Sequence, residues 1–238
     1  FDEVSIHLDR NDKDDPNTNE EAMAALRINV KSKDKELVGR LFSAKIIELA
    51  LSNYPGFFAG GGVKSGGPVL IYWPALVDSK HINEVVHFNG KSKELKPTSQ
   101  LNFEEIYYQT EPVKIPDAPK GETSHVPLGT LFGARSGDKG GCANLGVWAK
   151  DLDAFAFLSS FLTIEKLKEL MPDLKEFKIE RFDLPNILSL NFYIHDILED
   201  GVSSNSRKDA QAKSLGEYLR AKKANIPSSL LETSNEYG

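Results

Sequence analysis

Apolar and polar positions alternate regularly in two regions of the chain. In the first region, residues 1–8 (FDEVSIHL) and 25–34 (ALRINVKSKD) alternate with a period of two and predict strands, and residues 36–53 repeat apolar side chains at a helical period. VLIYWPALV (69–77) is almost continuously apolar and INEVVHFNGKSKEL (82–95) contains an Asn-Gly turn, so both predict strands. The pattern predicts one layer of α/β structure that is incomplete on its own.

The second region follows a stretch without periodicity, QTEPVKIPDAPKGETSHV (109–126), whose prolines and glycine are typical of a linker. After it, PLGTLFGA and NLGVWAK predict strands around a glycine-rich loop, and residues 153–171 predict a helix, in one or two pieces, that Pro172 ends. EFKIERFDL and ILSLNFYIHDIL predict two further strands, and residues 209–224 predict a closing helix. The order β-β-α-β-β-α favours helices packed on one face of a mostly antiparallel sheet.

These patterns predict the α/β (α+β) class and four segments. Residues 1–108 form the incomplete α/β region, 109–126 the linker, 127–225 the small domain and 226–238 a tail. The chain opens on Phe1 within a strand pattern, without an initiator methionine or a signal segment, so we expect it to be a fragment of a longer protein.

Composition narrows the function classes. The chain is 40% hydrophobic and 27% charged, as in ordinary globular proteins. A net charge of -6 argues against binding nucleic acid, which needs basic patches, and no apolar run approaches the length of about 18 residues that a membrane span requires. Cys142 is the only cysteine, which excludes an internal disulfide framework and a cysteine-rich zinc site and favours a cytoplasmic location.

The segment ARSGDKGGCANLG (134–146) combines four glycines with several charged and polar side chains. It matches neither a P-loop nor a dinucleotide fingerprint, because the spacing differs and a strand rather than a helix follows. If the segment is an anion site, its glycines would adopt positive φ and direct their backbone N–H groups at one point. Arg135 would bind the anion through its planar guanidinium and Lys139 through its ammonium charge. Asp138 would orient one of these cations or repel the ligand. The alternative is a hairpin whose charges are solvated or paired to each other.

A second polar group lies further along the chain. Asn191 and His195 are four apart in a predicted strand and therefore share a face, and SSNSRKD (203–209) brings Ser204 and Arg207 just before the predicted closing helix. The alternative is structural: Asp209 or the preceding Ser206 caps that helix and His195 is a half-buried imidazole with its partners satisfied.

Other polar and aromatic groups give weaker signals. His81 and His87 are six apart, and no spacing of carboxylates supports a metal site. Tyr72-Trp73-Pro74 would line an acyl pocket or pack in a core. The glycines of residues 60–67 would form a lid, a phosphate turn or a plain flexible loop.

Three stretches of the second region resemble the C-terminal portion of the acyclic terpene utilisation AtuA family: VPLGTLFGARSGDKGGCANLGVWAK, LPNILSLNFYIHDIL and SSNSRKDAQAKSLGEYL. YPGFFAGGG and YWPALV resemble the closing part of the large domain in the same family. The resemblance implies a small ferredoxin-like α/β domain that follows the C-terminal part of a larger domain. The family pattern at the loop reads Ala-Arg-Ser-Gly-Asp-Lys-Gly-Asn, and this chain departs from it only at Gly141.

The loop chemistry and the resemblance together define the candidate site, with no metal and no cofactor. His195 and Asp138 are the candidate catalytic residues. The candidate binding residues are Arg135, Ser136, Gly137, Lys139, Gly140, Asn144, Asn191, Ser204 and Arg207.

Two functions remain open at this point. The family name points to catabolism of branched terpenoid acids through coenzyme A esters, so the first is binding of, or action on, a small acidic ligand or an acyl-CoA at the loop. The second is a non-catalytic module that assembles with a carboxylase-like partner or as a homo-oligomer. Whether the chain is an enzyme stays open, and neither nucleic acid nor a membrane is expected as a partner.

Overall fold

The computed structural model describes residues 1–50, 55–60, 66–95 and 112–234. Its contacts divide the chain into two compact units: Phe1–Leu70 with Ser204–Lys208, and Ile71–Ser203 with Asp209–Gly238. The segment boundaries predicted from the sequence stay predictions, and residues 109–111 of the predicted linker and 235–238 of the predicted tail lie outside the described residues. Within the described ranges, no helix is long and apolar enough to cross a membrane.

The first unit contains an antiparallel strand pair and a helix. Strand β1 (Glu3–Asp9) pairs with β2 (Ala25–Lys31), as the alternation predicts, and Lys31 Nζ lies 2.6 Å from Glu3 Oε2. Helix α1 (Phe42–Ala50) follows a wide turn, Leu37–Leu41, in which Gly39 departs from helical geometry. The helix predicted over residues 36–53 is therefore interrupted at Gly39, and residues 51–53 of that prediction lie outside the described residues.

The first part of the second unit has one confirmed and one wrong strand prediction. Strands β3 (Glu84–Phe88) and β4 (Lys91–Leu95) form a hairpin in which Asn89 and Gly90 both have positive φ, as an Asn-Gly turn requires. Residues 71–77 are irregular, and Trp73 is 85% exposed. A continuous apolar run forms a strand only where a sheet can bury both of its faces, and the described residues offer it none.

A four-stranded antiparallel sheet is the centre of the second unit. Its strands are β6 (Gly133–Lys139), β7 (Cys142–Trp148), β8 (Ile179–Leu184) and β9 (Ser189–Ile194), arranged in the order β6-β7-β9-β8. A separate pair, β5 (Thr123–Pro127) and β10 (Lys223–Pro227), joins the end of the predicted linker to the C-terminal part of the chain. Single turns of 3-10 helix lie at Glu20–Ala22, Ser79–His81, Leu128–Thr130, Pro172–Leu174 and Pro185–Ile187.

Three helices cover one face of this sheet and form the core with it. They are α2 (Leu152–Phe161), α3 (Ile164–Leu170) and α4 (Leu215–Ala221), and α5 (Ser228–Ser234) follows β10. Asp151 and Thr163 cap α2 and α3, each accepting a backbone N–H three residues later. The fully buried side chains include Leu145, Leu190 and Phe192 from the sheet and Phe155 and Leu167 from the helices. The predicted class is confirmed. The elements from β6 to α4 follow the order β-β-α-β-β-α, but strands β5 and β10 flank them, and the first predicted strand begins only at Gly133, after the turn at Leu128–Thr130.

The closing helix differs from its prediction at both ends. The Asp209 carboxylate accepts the N–H groups of Lys213 and Ser214, and Ala212 has a φ of 53°, so the chain turns there and α4 begins only at Leu215. After Ala221 the chain becomes strand β10. A capped turn and a residue in the left-handed region interrupt a sequence whose propensity alone favours a helix.

Candidate functional site

The glycine-rich segment is a β-hairpin. Arg135 and Lys139 both lie in strand β6, Lys139 pairs with Cys142, and only Gly140 and Gly141 form the turn. Gly140 has a φ of 65°, whereas the positive-φ glycines of the described chain do not include Gly137 or Gly141. The predicted convergence of their N–H groups is therefore wrong.

Strand alternation sends the residues of this hairpin to opposite faces of the sheet. The face away from the helices, here called the open face, carries exposed or half-buried side chains. It is formed by Arg135, Gly137 and Lys139 of β6, Asn144, Gly146 and Trp148 of β7, Asn191 and Tyr193 of β9, and Glu180, Phe182 and Leu184 of β8. Five of the predicted site residues thus share one surface: Arg135, the buried Gly137, Lys139, Asn144 and Asn191.

Arg135 and Asn191 flank a glycine on this face. Both pair with Gly146, one from each neighbouring strand. A Cβ on Gly146 would lie 3.6 Å from the Arg135 carbonyl oxygen and 4.0 Å from Asn191 Oδ1, so the glycine leaves an open floor between the two side chains. Asn144 Nδ2 donates to Asn191 Oδ1 at 3.3 Å. The Arg135 guanidinium is exposed and makes no ion pair or side-chain hydrogen bond within the described residues.

Ser136 and Asp138 point to the opposite face. Ser136 is 6% exposed, and its Oγ accepts the Gly216 N–H at 3.0 Å, which ties β6 to α4. Asp138 Oδ1 lies 3.4 Å from Lys213 Nζ. Asp138 and His195 lie on opposite faces of the sheet by strand alternation, so Asp138 does not contact the His195 ring, and its catalytic role stays a prediction.

Lys213 is a cation that sequence reasoning did not include. Its Nζ lies 2.8 Å from the position that a Cβ on Gly137 would take. Gly137 therefore leaves room for an ammonium group, in the strand position midway between Arg135 and Lys139. Lys139 Nζ itself donates to the Asp138 carbonyl at 3.2 Å. Three cations line strand β6, and Asp138 is the only carboxylate of that strand.

His195 lies just beyond the end of β9 and belongs to a polar group. Its Nε2 is 2.7 Å from Glu180 Oε1, and its ring packs edge-on against Tyr193 with centroids 4.9 Å apart. The hydrogen bonds from His195 and then Lys178 lower the pKa of Glu180 below its usual value. Glu180 was not predicted. The pairing of β8 with β9, in which Glu180 lies opposite Tyr193, is what brings it to His195.

Tyr193 connects this polar group to the hairpin. A hydrogen bond with Cys142 raises the pKa of the Tyr193 hydroxyl, and burial and the carboxylates of Asp196 and Glu180 raise it further. The hydroxyl therefore stays protonated at neutral pH. Cys142, Tyr193, His195 and Glu180 form a polar end of the open face.

The remaining predicted residues have other environments. Gly140 turns the hairpin, and a Cβ there would touch the Tyr72 ring at 3.4 Å. Ser204 and Arg207 belong to the first unit, where Ser204 is 5% exposed and Asn205 Oδ1 accepts the Arg207 N–H. Their part in the site stays a prediction.

The weaker candidates do not form sites of their own in the described structure. His87 Nδ1 lies 2.7 Å from Ser92 Oγ, and the described residues hold no cluster of three or more His, Cys, Asp or Glu side chains arranged to bind a metal. Trp73 is exposed rather than packed in a core. Residues 61–65 of the predicted lid or phosphate turn lie outside the described residues.

Two family models match the chain and together cover more than half of it. Residues 1–88 match the model described as acyclic terpene utilisation family protein AtuA, and residues 126–225 match the model described as AtuA ferredoxin-like domain. No curated protein and no solved structure matches the chain significantly. The second match spans the whole four-stranded sheet, and the mixed helix and strand content agrees with it.

Proposed function

Because this chain belongs to the acyclic terpene utilisation AtuA family, we propose that the open face of its C-terminal domain binds the carboxylate or phosphate of a small acidic metabolite or acyl-CoA. The observation that carries the proposal is Arg135. Its guanidinium projects from the face without a counter-ion in the described structure, beside a glycine floor and an asparagine amide.

Each of these groups has a chemical role. A guanidinium presents paired N–H donors in a plane, which matches the two oxygens of a carboxylate or a phosphate. The Asn144 amide nitrogen is used in the bond to Asn191 Oδ1, which leaves the Asn191 amide N–H groups as donors toward the ligand. Lys139 and Lys213 add positive charge along the same strand. Gly146 lets a ligand oxygen approach the sheet between Arg135 and Asn191.

We assign His195 the role of proton-transfer group and Glu180 the role of its positioning residue. Histidine titrates near neutrality, and a carboxylate bonded to one ring nitrogen fixes which nitrogen faces the ligand. With Nε2 on Glu180, Nδ1 is the nitrogen left for a proton transfer. His195 lies about 16 Å from Arg135 by strand spacing but about 10 Å from Lys139, so a ligand that contacts both Arg135 and His195 must extend along the face.

The second candidate function is an assembly module. It is favoured by the exposure of Trp148, Phe182 and Leu184 on the same face, since exposed apolar patches mark interaction surfaces. In that case the mass of the chain in sedimentation exceeds that of a monomer and falls when Phe182 is replaced. An anion site instead leaves the mass unchanged and changes ligand binding.

The test is thermal unfolding of the chain against phosphate, coenzyme A and butanoate. A ligand present at a hundredfold excess over its Kd stabilises the fold by about 2.7 kcal/mol. We expect Arg135→Gln to abolish the stabilisation and leave the unliganded Tm unchanged, because the side chain is exposed. Arg10→Gln, which removes the same charge at another exposed arginine, serves as the control. No stabilisation of the native chain by any of the three ligands would refute the proposal.

A further inference from the structure

The open face has an apolar half next to the anion site. Trp148, Phe182 and Leu184, here called the apolar patch, are 42%, 48% and 41% exposed. Trp148 and Leu184 lie in one row across the sheet, on either side of Ser189. Phe182 lies in the next row, opposite Asn191. That row also contains Gly146 and Arg135. The Trp148 indole lies over Gly133, two residues before Arg135 in β6, so apolar side chains lie on both sides of the Arg135–Gly146–Asn191 row.

The charges on this surface limit what can cover it. No acidic side chain of the open face lies in either of these two rows, and Glu180 lies in the next row, already bonded to His195 and Lys178. A cationic or uncharged apolar occupant would leave Arg135 without a counter-ion. An occupant with an apolar body and one negative end satisfies both halves of the surface.

A second copy of the chain is a poorer occupant. The exposed parts of three side chains amount to on the order of 300 Å², using typical side-chain areas. A stable interface between proteins needs about 800 Å² from each partner. A hydrocarbon chain needs only the apolar patch itself.

We propose that the open face binds an amphipathic anion, whose negative group contacts Arg135 and Asn191 and whose hydrocarbon chain lies on Trp148, Phe182 and Leu184. The inference rests on the proposed function and adds the class of ligand: a medium-chain acid or its thioester, rather than a short acid or free phosphate. Gly146 on β7 and the apolar side chains of β8 are two strand spacings, about 10 Å, apart, which an extended chain of about eight to ten carbons spans.

The experiment compares carboxylates of different chain length on the whole chain. Binding of butanoate, octanoate and decanoate is measured by titration calorimetry or amide NMR, below the concentration at which each acid forms micelles. We expect affinity to rise about two- to fourfold for each added CH₂ up to about eight to ten carbons, because each one leaves water for the apolar patch.

Variants of the apolar patch and of Arg135 test the two parts of the ligand separately. Phe182→Thr, with Leu184→Thr as a second variant, is expected to weaken octanoate at least fivefold and to leave butanoate unchanged. Arg135→Gln is expected to weaken both acids by the same factor. Phe88→Thr is the matched control, since Phe88 is also an exposed strand aromatic, at 72% exposure. Unchanged unfolding midpoints show that each variant is folded.

The outcomes distinguish this inference from the proposed function. If butanoate, phosphate or coenzyme A binds through Arg135 and octanoate binds no tighter than butanoate, the inference is overturned and the proposed function stands. If none of these anions binds, both fail. If Phe182→Thr lowers the sedimentation mass without affecting octanoate, the apolar patch is a surface for self-association and the inference is wrong.

Discussion

Arg135 and Ser136 are neighbours in the sequence with opposite environments. The Arg135 side chain is exposed and unpaired in the described structure, whereas Ser136 is buried and holds the N–H of Gly216. A charge without a partner is available to a ligand, and a buried hydroxyl with a partner is part of the fold. Changes at the two positions should therefore separate binding from stability.

Ser136→Ala is expected to destabilise the protein by about 1–3 kcal/mol, because it leaves the buried Gly216 N–H without an acceptor. Urea unfolding measures the change. The control is Ser189→Ala, since the Ser189 hydroxyl only donates to the Ile187 carbonyl at the surface. Equal effects of the two changes would show that the Ser136 bond is not structural.

Glu180→Gln is expected to change how stability depends on pH. The pKa of Glu180 is lowered in the folded state by the hydrogen bonds from His195 and Lys178. A carboxylate with a lowered pKa stabilises the fold above its unfolded-state pKa of about 4.3, and this stabilisation is lost as the pH falls through the folded-state pKa.

The difference in stability between the native protein and Glu180→Gln should therefore shrink as the pH falls below about 4.3. Unfolding midpoints measured from pH 3 to pH 7 test this, and the same replacement in a His195→Gln background measures the part due to His195. A difference that stays constant down to pH 3 would contradict the assignment of the Glu180–His195 pair.

At the scale of elements, the packing of α4 on β6 fixes the hairpin. A Cβ on Gly216 would lie 3.2 Å from the Arg135 backbone nitrogen and 3.3 Å from the Ala134 carbonyl carbon, so the helix rests directly on the strand backbone. The open-face glycine Gly146 has only ordinary contacts. Gly216 thus packs against one face of the hairpin, and Gly146 lies within the hairpin and leaves space on the other face.

Gly216→Ala is expected to destabilise the protein by about 1–3 kcal/mol, because backbone on both sides must shift, although alanine favours helix formation elsewhere. Gly146→Ala is the matched change and should alter stability by less than about 0.5 kcal/mol. It should nevertheless weaken anion binding, because the added methyl group occupies the space between Arg135 and Asn191. Thermal unfolding with and without ligand tests both, and a Gly216→Ala protein as stable as the native one would contradict the packing.

The elements also show where sequence reasoning succeeds and fails. The alternation along β9 and the Asn89–Gly90 turn are local signals, so they were predicted. The glycines and charges of residues 135–143, between the two predicted strands, are typical of a loop, and a loop lets neighbouring residues converge where a strand separates them. The left-handed Ala212 and the start of β10 at Lys223 depend on tertiary packing that propensity does not contain.

At the scale of the whole molecule, the core lies in one part of the chain. Every buried apolar residue of the described structure lies between Leu128 and Leu230, while the described apolar residues of the first unit are all exposed or half-buried. A segment that contains a complete core has the means to fold alone.

We therefore expect residues 112–238 alone to unfold cooperatively in urea, with a midpoint close to that of the whole chain. The physical reason is that the removed residues contribute no buried apolar side chain to the described core. Circular dichroism against urea measures this. A broad transition without cooperativity would show that the N-terminal residues are needed for the fold.

The family and the general location of the candidate site could be predicted from the sequence, because the hairpin motif is long and continuous. The residues that contact the predicted site residues could not be predicted. Glu180 reaches His195, and Lys213 reaches Gly137, through strand pairing and a turn that join distant parts of the chain. No local pattern encodes such contacts. The register of β6 and β7 determines which residues share the open face, and the sequence alone does not specify that register.

The most direct test of the account is an amide NMR titration of the chain with octanoate and coenzyme A, repeated with Arg135→Gln. Chemical shift changes are expected to concentrate on Arg135, Gly146 and the Asn191 side-chain amide, and to disappear in the variant. Changes confined to residues outside the open face, or unaltered by Arg135→Gln, would contradict the claim that this face is the anion site.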